Sequence, residues 1–215
     1  MNTKRLVVLC PGWGSAIDYL SSSALMDFKD DGYDVAVFGG YKDYGLGSIR
    51  AHAVSVHNAL ETFLRTNSYE HVTVIGHSMG GFIARYLVQV LQVDYIDALV
   101  TLGTPHTGTS LARFLKGISA SCEEMNSGSV FLKELNEKAP PITPTLNVTG
   151  GLDFIGKTLH FGENISVPRV THLSLVLSPR VYQEIWAWLT YELFGENGPY
   201  SNRDGSVFSF FLHKD

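Results

Sequence analysis

Apolar residues along this chain form short continuous runs, and the longer segments between them repeat apolar positions every three or four residues. The short runs are rich in β-branched residues and predict strands, while the longer spacing predicts helices with one apolar face. Pro179 near the start and Gly195 past the end support the last helix. We expect strands at residues 5–10, 33–38, 71–76, 98–103, 144–149 and 167–171, and helices at 16–30, 48–66, 79–92 and 179–194.

The alternation of strands and helices decides the expected fold class. Strands that are apolar on both faces need helices on both sides of the sheet, which is typical of parallel sheets. We therefore predict an α/β fold with about six mostly parallel strands, helices on both faces and a minimal cap, in one domain over residues 1–215. Residues 105–141 interrupt the alternation and are either a small lid or an ordinary crossover with an extra helix. The apolar tail at residues 196–215 either packs onto the domain or pairs with another chain.

The junction of the third strand and the following helix carries the clearest chemical signal. Residues 72–81 have the sequence Val-Thr-Val-Ile-Gly-His-Ser-Met-Gly-Gly, and Phe82 opens a helical pattern. A serine between glycines at such a sharp turn is a nucleophile elbow, which holds the serine in a strained backbone conformation. Gly76 and Gly80 are required there because a Cβ atom would collide as the helix folds back on the strand. Ser78 is therefore the candidate nucleophile.

Composition and charge narrow the classes of partner. The chain is 45% hydrophobic and 17% charged with a net charge of −5, and it has no dense basic run. Nucleic acid and anionic membranes are therefore not expected as partners, and no apolar segment is long enough for an integral membrane segment. Five apolar residues before Pro11 are too few for a signal peptide, so we expect a cytoplasmic protein, with the mature form of a secreted protein as the alternative. The two cysteines, Cys10 and Cys122, are expected to be free thiols.

A serine nucleophile needs a base to accept its proton and a carboxylate to orient that base. In folds with this elbow, the acid and then the histidine follow the serine along the chain. His172 comes directly after the last predicted strand, and Asp153 comes just after the fifth, so these are the expected base and acid. Glu163 stays open as a substitute acid. Of the other seven histidines, His77 is next to the serine but is expected to point away from it.

The remaining candidate residues would bind the oxyanion and the substrate. The backbone N–H of Met79 and that of Trp13, in a glycine-rich loop after the first strand, are the expected oxyanion donors. Aromatic and aliphatic residues of residues 105–141 and beside Asp153 are candidates for an acyl pocket, although some of them are equally well explained as core. These candidates are Phe114, Phe131, Phe154 and Ile155.

The chain resembles the α/β-hydrolase superfamily, and in particular small bacterial lipases and esterases. The resemblance lies in residues 11–14 (Pro-Gly-Trp-Gly), residues 76–81, Asp153 and His172. Pro11 departs from the histidine that many lipases have at this place. The resemblance implies an α/β-hydrolase fold and a serine carboxylic-ester hydrolase that acts on a small-molecule or lipid ester through an acyl-enzyme, with no metal or organic cofactor. An acyl-thioesterase or acyltransferase with the same triad is one alternative, and a non-catalytic ligand-binding module with this fold is another.

Overall fold

A computed structural model of the chain describes residues 4–14, 17–39, 43–109, 117 and 119–195. Within these residues, six strands form one sheet in which all pairs of neighbours are parallel, in the order β2-β1-β3-β4-β5-β6. The predicted parallel sheet of about six strands is confirmed. The strands are β1 (Arg5–Cys10), β2 (Tyr33–Val37), β3 (His71–His77), β4 (Ala98–Leu102), β5 (Thr145–Gly150) and β6 (Glu163–Val167).

The described helices follow the predicted order, with one break. The helix expected at residues 16–30 is divided into a short α-helix and a 3₁₀ helix. The division occurs at a run of three serines, where Ser23 bonds through both its hydroxyl and its backbone N–H to the carbonyl of Leu20. Such local bonds compete with a continuing helix. The helices are α1 (Ile17–Ser21), the 3₁₀ helix (Ala24–Lys29), α2 (Ile49–Leu64), α3 (Met79–Gln89), α4 (Ala120–Glu124), α5 (Val130–Glu137) and α6 (Pro179–Phe194).

Helices cover both faces of the sheet, as the apolar strands predicted. Successive side chains of β1 point to opposite faces. Val8 belongs to a core that contains residues of α2, α3 and α5, and Val7 belongs to a second core with the 3₁₀ helix and α6. Two separate cores therefore fix the sheet from above and below. No helix in the described part of the chain combines the length and the apolarity needed to cross a bilayer.

The last strand differs from its prediction. It was expected at residues 167–171, whereas β6 covers Glu163–Val167 and is followed by a turn at residues 168 and 169, where Arg169 has a φ of 63°. β6 is an edge strand, and its residues alternate between partly buried and exposed positions up to the buried Val167 instead of forming an apolar run. Because these positions are not continuously apolar, the sequence pattern placed the strand four residues too far along the chain. His172 is therefore separated from the end of β6 by a short segment, but it still lies at the carboxyl edge of the sheet.

Residues 105–141 contain two of the helices. Ser119 and Ser129 cap α4 and α5, since each hydroxyl accepts a hydrogen bond from a backbone N–H in the first turn. Phe131 and two leucines of α5 are buried in the first core, so this helix packs on the body of the molecule. Residues 110–116, which include Phe114, and the tail at residues 196–215 lie outside the described residues.

Candidate active site

The strained serine predicted at the elbow is present. Ser78 lies between β3 and α3 with φ 54° and ψ −120°, a conformation that a non-glycine residue rarely adopts. Its N–H donates to Leu102 O at 2.8 Å, which fixes the turn to β4. A Cβ atom on Gly76 would lie 2.3 Å from Gly80 O, so glycine is required for α3 to approach the strand this closely. The turn presents Ser78 at the carboxyl edge of the sheet.

An aspartate and a histidine form a hydrogen-bonded pair at the same edge. Asp153 follows β5, His172 follows β6, and His172 Nδ1 lies 3.1 Å from Asp153 Oδ2 and 3.2 Å from Oδ1. The side chain of Asp153 is fully buried and that of His172 is 15% exposed. Asp153 Oδ1 also accepts hydrogen bonds from the N–H groups of Ile155 and Gly156. The structure thus brings together two residues 19 positions apart in the chain.

The hydrogen bonds to Asp153 determine its charge state. Burial by itself raises the pKa of this carboxyl, but the hydrogen bonds from His172, Gly156 and Ile155 outweigh burial and hold the pKa below its ordinary value. Asp153 is therefore a carboxylate at neutral pH. The carboxylate accepts a hydrogen bond from Nδ1–H of His172, which leaves Nε2 as the nitrogen available to a substrate or a nucleophile.

The loop after β1 lies directly against the serine. A Cβ atom on Gly12 would be 3.0 Å from Ser78 Cβ, which shows how closely the two backbones approach. The next residue, Trp13, is 36% exposed, while Met79 is fully buried at the first position of α3. Gly14 N donates to Tyr44 O at 3.0 Å and so anchors this loop to the segment after β2. Met79 thus directly follows Ser78 in the chain, and Trp13 follows the glycine whose backbone lies against Ser78.

A family described as alpha/beta hydrolase fold matches residues 5–143 of the chain. The chain belongs to this family. The match includes Ser78 but ends before Asp153 and His172, so the contact between those two side chains of this α/β-hydrolase is known from the structure alone.

Curated relatives match part of this α/β-hydrolase. GPI inositol-deacylase of Mus musculus is 32% identical over 142 residues, which are 58% of this chain and 14% of that protein. Putative esterase/lipase 3 of Mycoplasma pneumoniae is 24% identical over 141 residues, which are 65% of this chain and 50% of that protein. The aligned region therefore spans half or less of these relatives.

Solved structures resemble the fold over most of its length. Lipase BlEst2 of Bacillus licheniformis in mature form has a TM-score of 0.73 at 14% identity, with 88% of this chain and 93% of that chain covered. Aspergillus fumigatus lipase B has a TM-score of 0.69 at 13% identity, with 85% and 51% covered. At these identities the likeness establishes the shared fold.

The four predicted substrate-binding residues fall in different environments. Phe154, beside Asp153, is 88% exposed, and Ile155 is half-buried. Phe131 is 2% exposed and packs in the first core, with its ring 5.9 Å from that of Phe82. That position matches the alternative of a core residue, whereas the two residues beside the acid remain candidates for contact with a substrate. Phe114 lies outside the described residues.

Glu163, which the sequence left open as a substitute acid, lies away from His172 in this α/β-hydrolase. It is the first residue of β6, at the opposite end of the strand from the turn that leads to His172. Its carboxylate accepts a hydrogen bond from Trp188 Nε1 at 3.0 Å. The sequence left this alternative open because it placed the strand later.

A buried polar cluster next to the site was missed by the sequence analysis. Arg85 of α3 is fully buried, and its guanidinium donates to Gln89 Oε1, Asn136 Oδ1 and Leu135 O. It also lies 3.2 Å from His106 Nδ1. Burial lowers the pKa of Arg85 to about 9. No carboxylate is among the hydrogen-bond partners that the described residues give this side chain.

The same cluster reaches the segment that carries the acid. His106 Nε2 lies 3.2 Å from Asn147 Oδ1 on β5, and Asn147 Nδ2 donates to Lys157 O at 3.1 Å. Lys157 N in turn donates to Thr104 O. The backbone just after Asp153 is therefore held by a chain of hydrogen bonds that begins on α3.

Proposed function

We propose that this α/β-hydrolase is a serine carboxylic-ester hydrolase, an esterase or lipase, that acts through an acyl-enzyme. The observation that carries the proposal is the Asp153–His172 pair, in which a fully buried carboxylate orients an imidazole at the sheet edge where Ser78 is strained. This is the set of roles that acyl transfer by serine requires, namely nucleophile, base and orienting acid.

In the proposed reaction, Ser78 Oγ attacks the ester carbonyl carbon while His172 Nε2 accepts the hydroxyl proton. Asp153 stabilises the imidazolium through Nδ1. The backbone N–H groups of Trp13 and Met79 bind the oxyanion, and each such donor contributes about 3 kcal/mol of transition-state stabilisation. The alcohol leaves with the proton from His172. Water, deprotonated by His172, then hydrolyses the acyl-enzyme and regenerates the serine.

Two further observations support an ester with an apolar acyl group as the substrate. Trp13, in the loop that lies against Ser78, and Phe154, next to Asp153, are large apolar side chains that are exposed. The names of the relatives also refer to acyl-ester chemistry, as an inositol-deacylase, an esterase/lipase and lipases. We therefore place the substrate among carboxylic esters whose acyl part contacts these side chains.

Ser78→Ala tests the proposal because it removes the nucleophile without adding bulk. Loss of one triad member typically lowers kcat about 10⁴-fold or more. We expect no cleavage of p-nitrophenyl esters of any chain length and no labelling by a fluorophosphonate probe, with the thermal unfolding temperature unchanged. His172→Ala should give the same loss, while His160→Ala, at an exposed position, should retain wild-type rates.

The outcomes of this experiment separate the competing functions. Turnover by Ser78→Ala above about a thousandth of the wild-type rate would refute the assignment. Preference for acyl-thioesters over matched oxygen esters would replace it with a thioesterase. A wild-type protein that binds acyl ligands but neither turns over esters nor forms a Ser78 adduct would instead be a ligand-binding module.

A further inference from the structure

We infer that His77 is a positioning residue, which holds the imidazole of His172 in place by binding the backbone carbonyl of His172. This inference rests on the proposed function, because it assigns His172 as the base. His77 is the last residue of β3 and directly precedes the nucleophile. It thus links the nucleophile turn to the loop that carries the base.

The contact between the two histidines has one chemical interpretation. His77 Nε2 lies 3.0 Å from His172 O, and the ring centroids are 4.9 Å apart. A carbonyl oxygen only accepts, so Nε2 of His77 carries the proton and donates it. Burial, followed by the nearby charge of His172, lowers the pKa of His77 to about 4, so the ring is neutral in the working range of an esterase. His77 is therefore fixed in a single tautomer.

His172 lies outside the strands, in the segment between β6 and α6. Leu175 and Val176 of this segment are buried in the second core, whereas His172 is only partly buried. Besides the bonds to His172, the hydrogen bonds that the described residues give from this segment to the body join Leu152 N to Val170 O, Ala24 N to Val176 O and Tyr19 Oη to Leu173 O. The hydrogen bond from Tyr19 to Leu173 O is exposed, whereas the hydrogen bond to His172 O comes from the side chain of His77, which is 3% exposed. The base is thus held at its ring by Asp153 and at its backbone by His77.

The second ring nitrogen of His77 argues against a purely structural role. Nδ1 is buried and has no hydrogen-bond partner among the described residues. It faces the oxyanion loop, where a Cβ atom on Gly12 would lie 3.4 Å away. A buried polar atom without a partner lowers stability, so phenylalanine would suit this place better if packing were the only requirement. The ionisable groups around the ring are Tyr19, His172 and Asp153.

The test compares three substitutions of His77 in the full chain. His77→Phe keeps the ring and removes the donor, His77→Gln keeps a donor near the place of Nε2, and His77→Asn places its donor nearer to Nδ1, short of His172 O. We expect His77→Phe and His77→Asn to lower kcat for a p-nitrophenyl ester about tenfold to a hundredfold, since small displacements of a catalytic group have effects of this size. His77→Gln should recover most of that loss. KM should change less than twofold in all three.

Thermal unfolding and fluorophosphonate labelling of the same proteins complete the test. His77→Phe should unfold at or above the wild-type temperature and yet label more slowly, in proportion to its kcat. His71→Phe, at the other end of the same strand, is the matched control and should keep wild-type kcat. Wild-type kcat in His77→Phe would overturn the inference. So would a loss of kcat that parallels a lower unfolding temperature equally in the Phe and Gln variants. Activity that survives in Ser78→Ala would instead refute the proposed function.

Discussion

Gly103 lies beside Asp153 and His172 and leaves no room for a larger residue next to them. It follows β4 with a φ of 59°, and a Cβ atom there would lie 2.7 Å from Asp153 Oδ2 and 3.0 Å from His172 Nδ1. The same Cβ atom would lie 2.7 Å from Leu175 Cδ1, so Gly103→Ala must displace the carboxylate and the imidazole together with this side chain. We expect kcat for a p-nitrophenyl ester to fall about a hundredfold, which is typical of a displacement near 1 Å at a catalytic group.

Gly128→Ala is the matched control for this substitution. Gly128 also has a positive φ, 80°, but no atom lies within 4 Å of a Cβ atom built on it. Both variants bear the strain of alanine in the left-handed region, about 1–2 kcal/mol, and only Gly103→Ala disturbs the pair. Equal loss of kcat in the two variants would show that backbone strain, rather than the contact with Asp153 and His172, causes the effect.

Single residues of the candidate site differed in how far the sequence could predict them. Ser78 was predictable because its strain and its flanking glycines are local features of one turn. Asp153 and His172 followed from their order along the chain and their places after strands. The contact of His77 with His172 spans 95 positions and leaves no local pattern. Arg85 was likewise hidden, since a charged residue in a helix predicts exposure unless its partners are known.

At the level of elements, Arg85 joins the nucleophile helix to α5. Its guanidinium satisfies the carbonyl of Leu135 and the side-chain oxygens of Gln89 and Asn136. Arg85→Met would fill much of the volume but leave these buried acceptors without donors, at about 1–3 kcal/mol for each one that water does not reach. We expect the free energy of unfolding in urea to fall by about 3 kcal/mol or more, and Arg85→Lys to give an intermediate loss.

Arg50→Met supplies the control for the same change at a surface position. Arg50 of α2 pairs with Glu134 and Glu124 and is 37% exposed. Ion pairs at such positions contribute about 1 kcal/mol or less, so this variant should stay close to wild type. If both substitutions lower the free energy of unfolding equally, the buried hydrogen bonds of Arg85 do not stabilise the contact between α3 and α5 more than a surface ion pair would.

The elements themselves were predictable where burial is uniform and less so where it alternates. β1, β3 and β4 are central strands with almost continuous apolar sequences, and their predicted and observed bounds agree within one residue at each end. β6 lies at the edge of the sheet and buries one face of its residues, so its polar positions hid it. The first predicted helix was wrong as one unit, because its serines offered the backbone other hydrogen bonds.

For the whole molecule, the architecture followed from a simple requirement. Strands apolar on both faces have to be covered on both faces, and the two cores with their separate sets of helices meet that requirement. The site then lies where the carboxyl ends of parallel strands meet, since Ser78, Asp153 and His172 follow β3, β5 and β6. What the pattern could not supply is the polar bonding between elements, which depends on residues far apart in the chain.

Two buried histidines make the stability of the whole fold sensitive to acid. Burial lowers the pKa of His77 to about 4 and lowers that of His106 well below its ordinary value, with the charge of Arg85 adding to the effect at His106. Between pH 6.5 and pH 4 the unfolded chain therefore binds protons that the folded chain does not bind. The contribution of these histidines to the free energy of unfolding is thus complete above pH 6.5 and falls as the pH decreases.

For His77 alone, the free energy of unfolding falls by about 2 kcal/mol between pH 7.5 and pH 5, and His106 acts in the same direction. We expect urea unfolding to show at least this loss in the wild type and a loss about 2 kcal/mol smaller in His77→Phe. An unchanged pH dependence in that variant would mean that His77 accepts a proton in the folded protein as readily as in the unfolded chain.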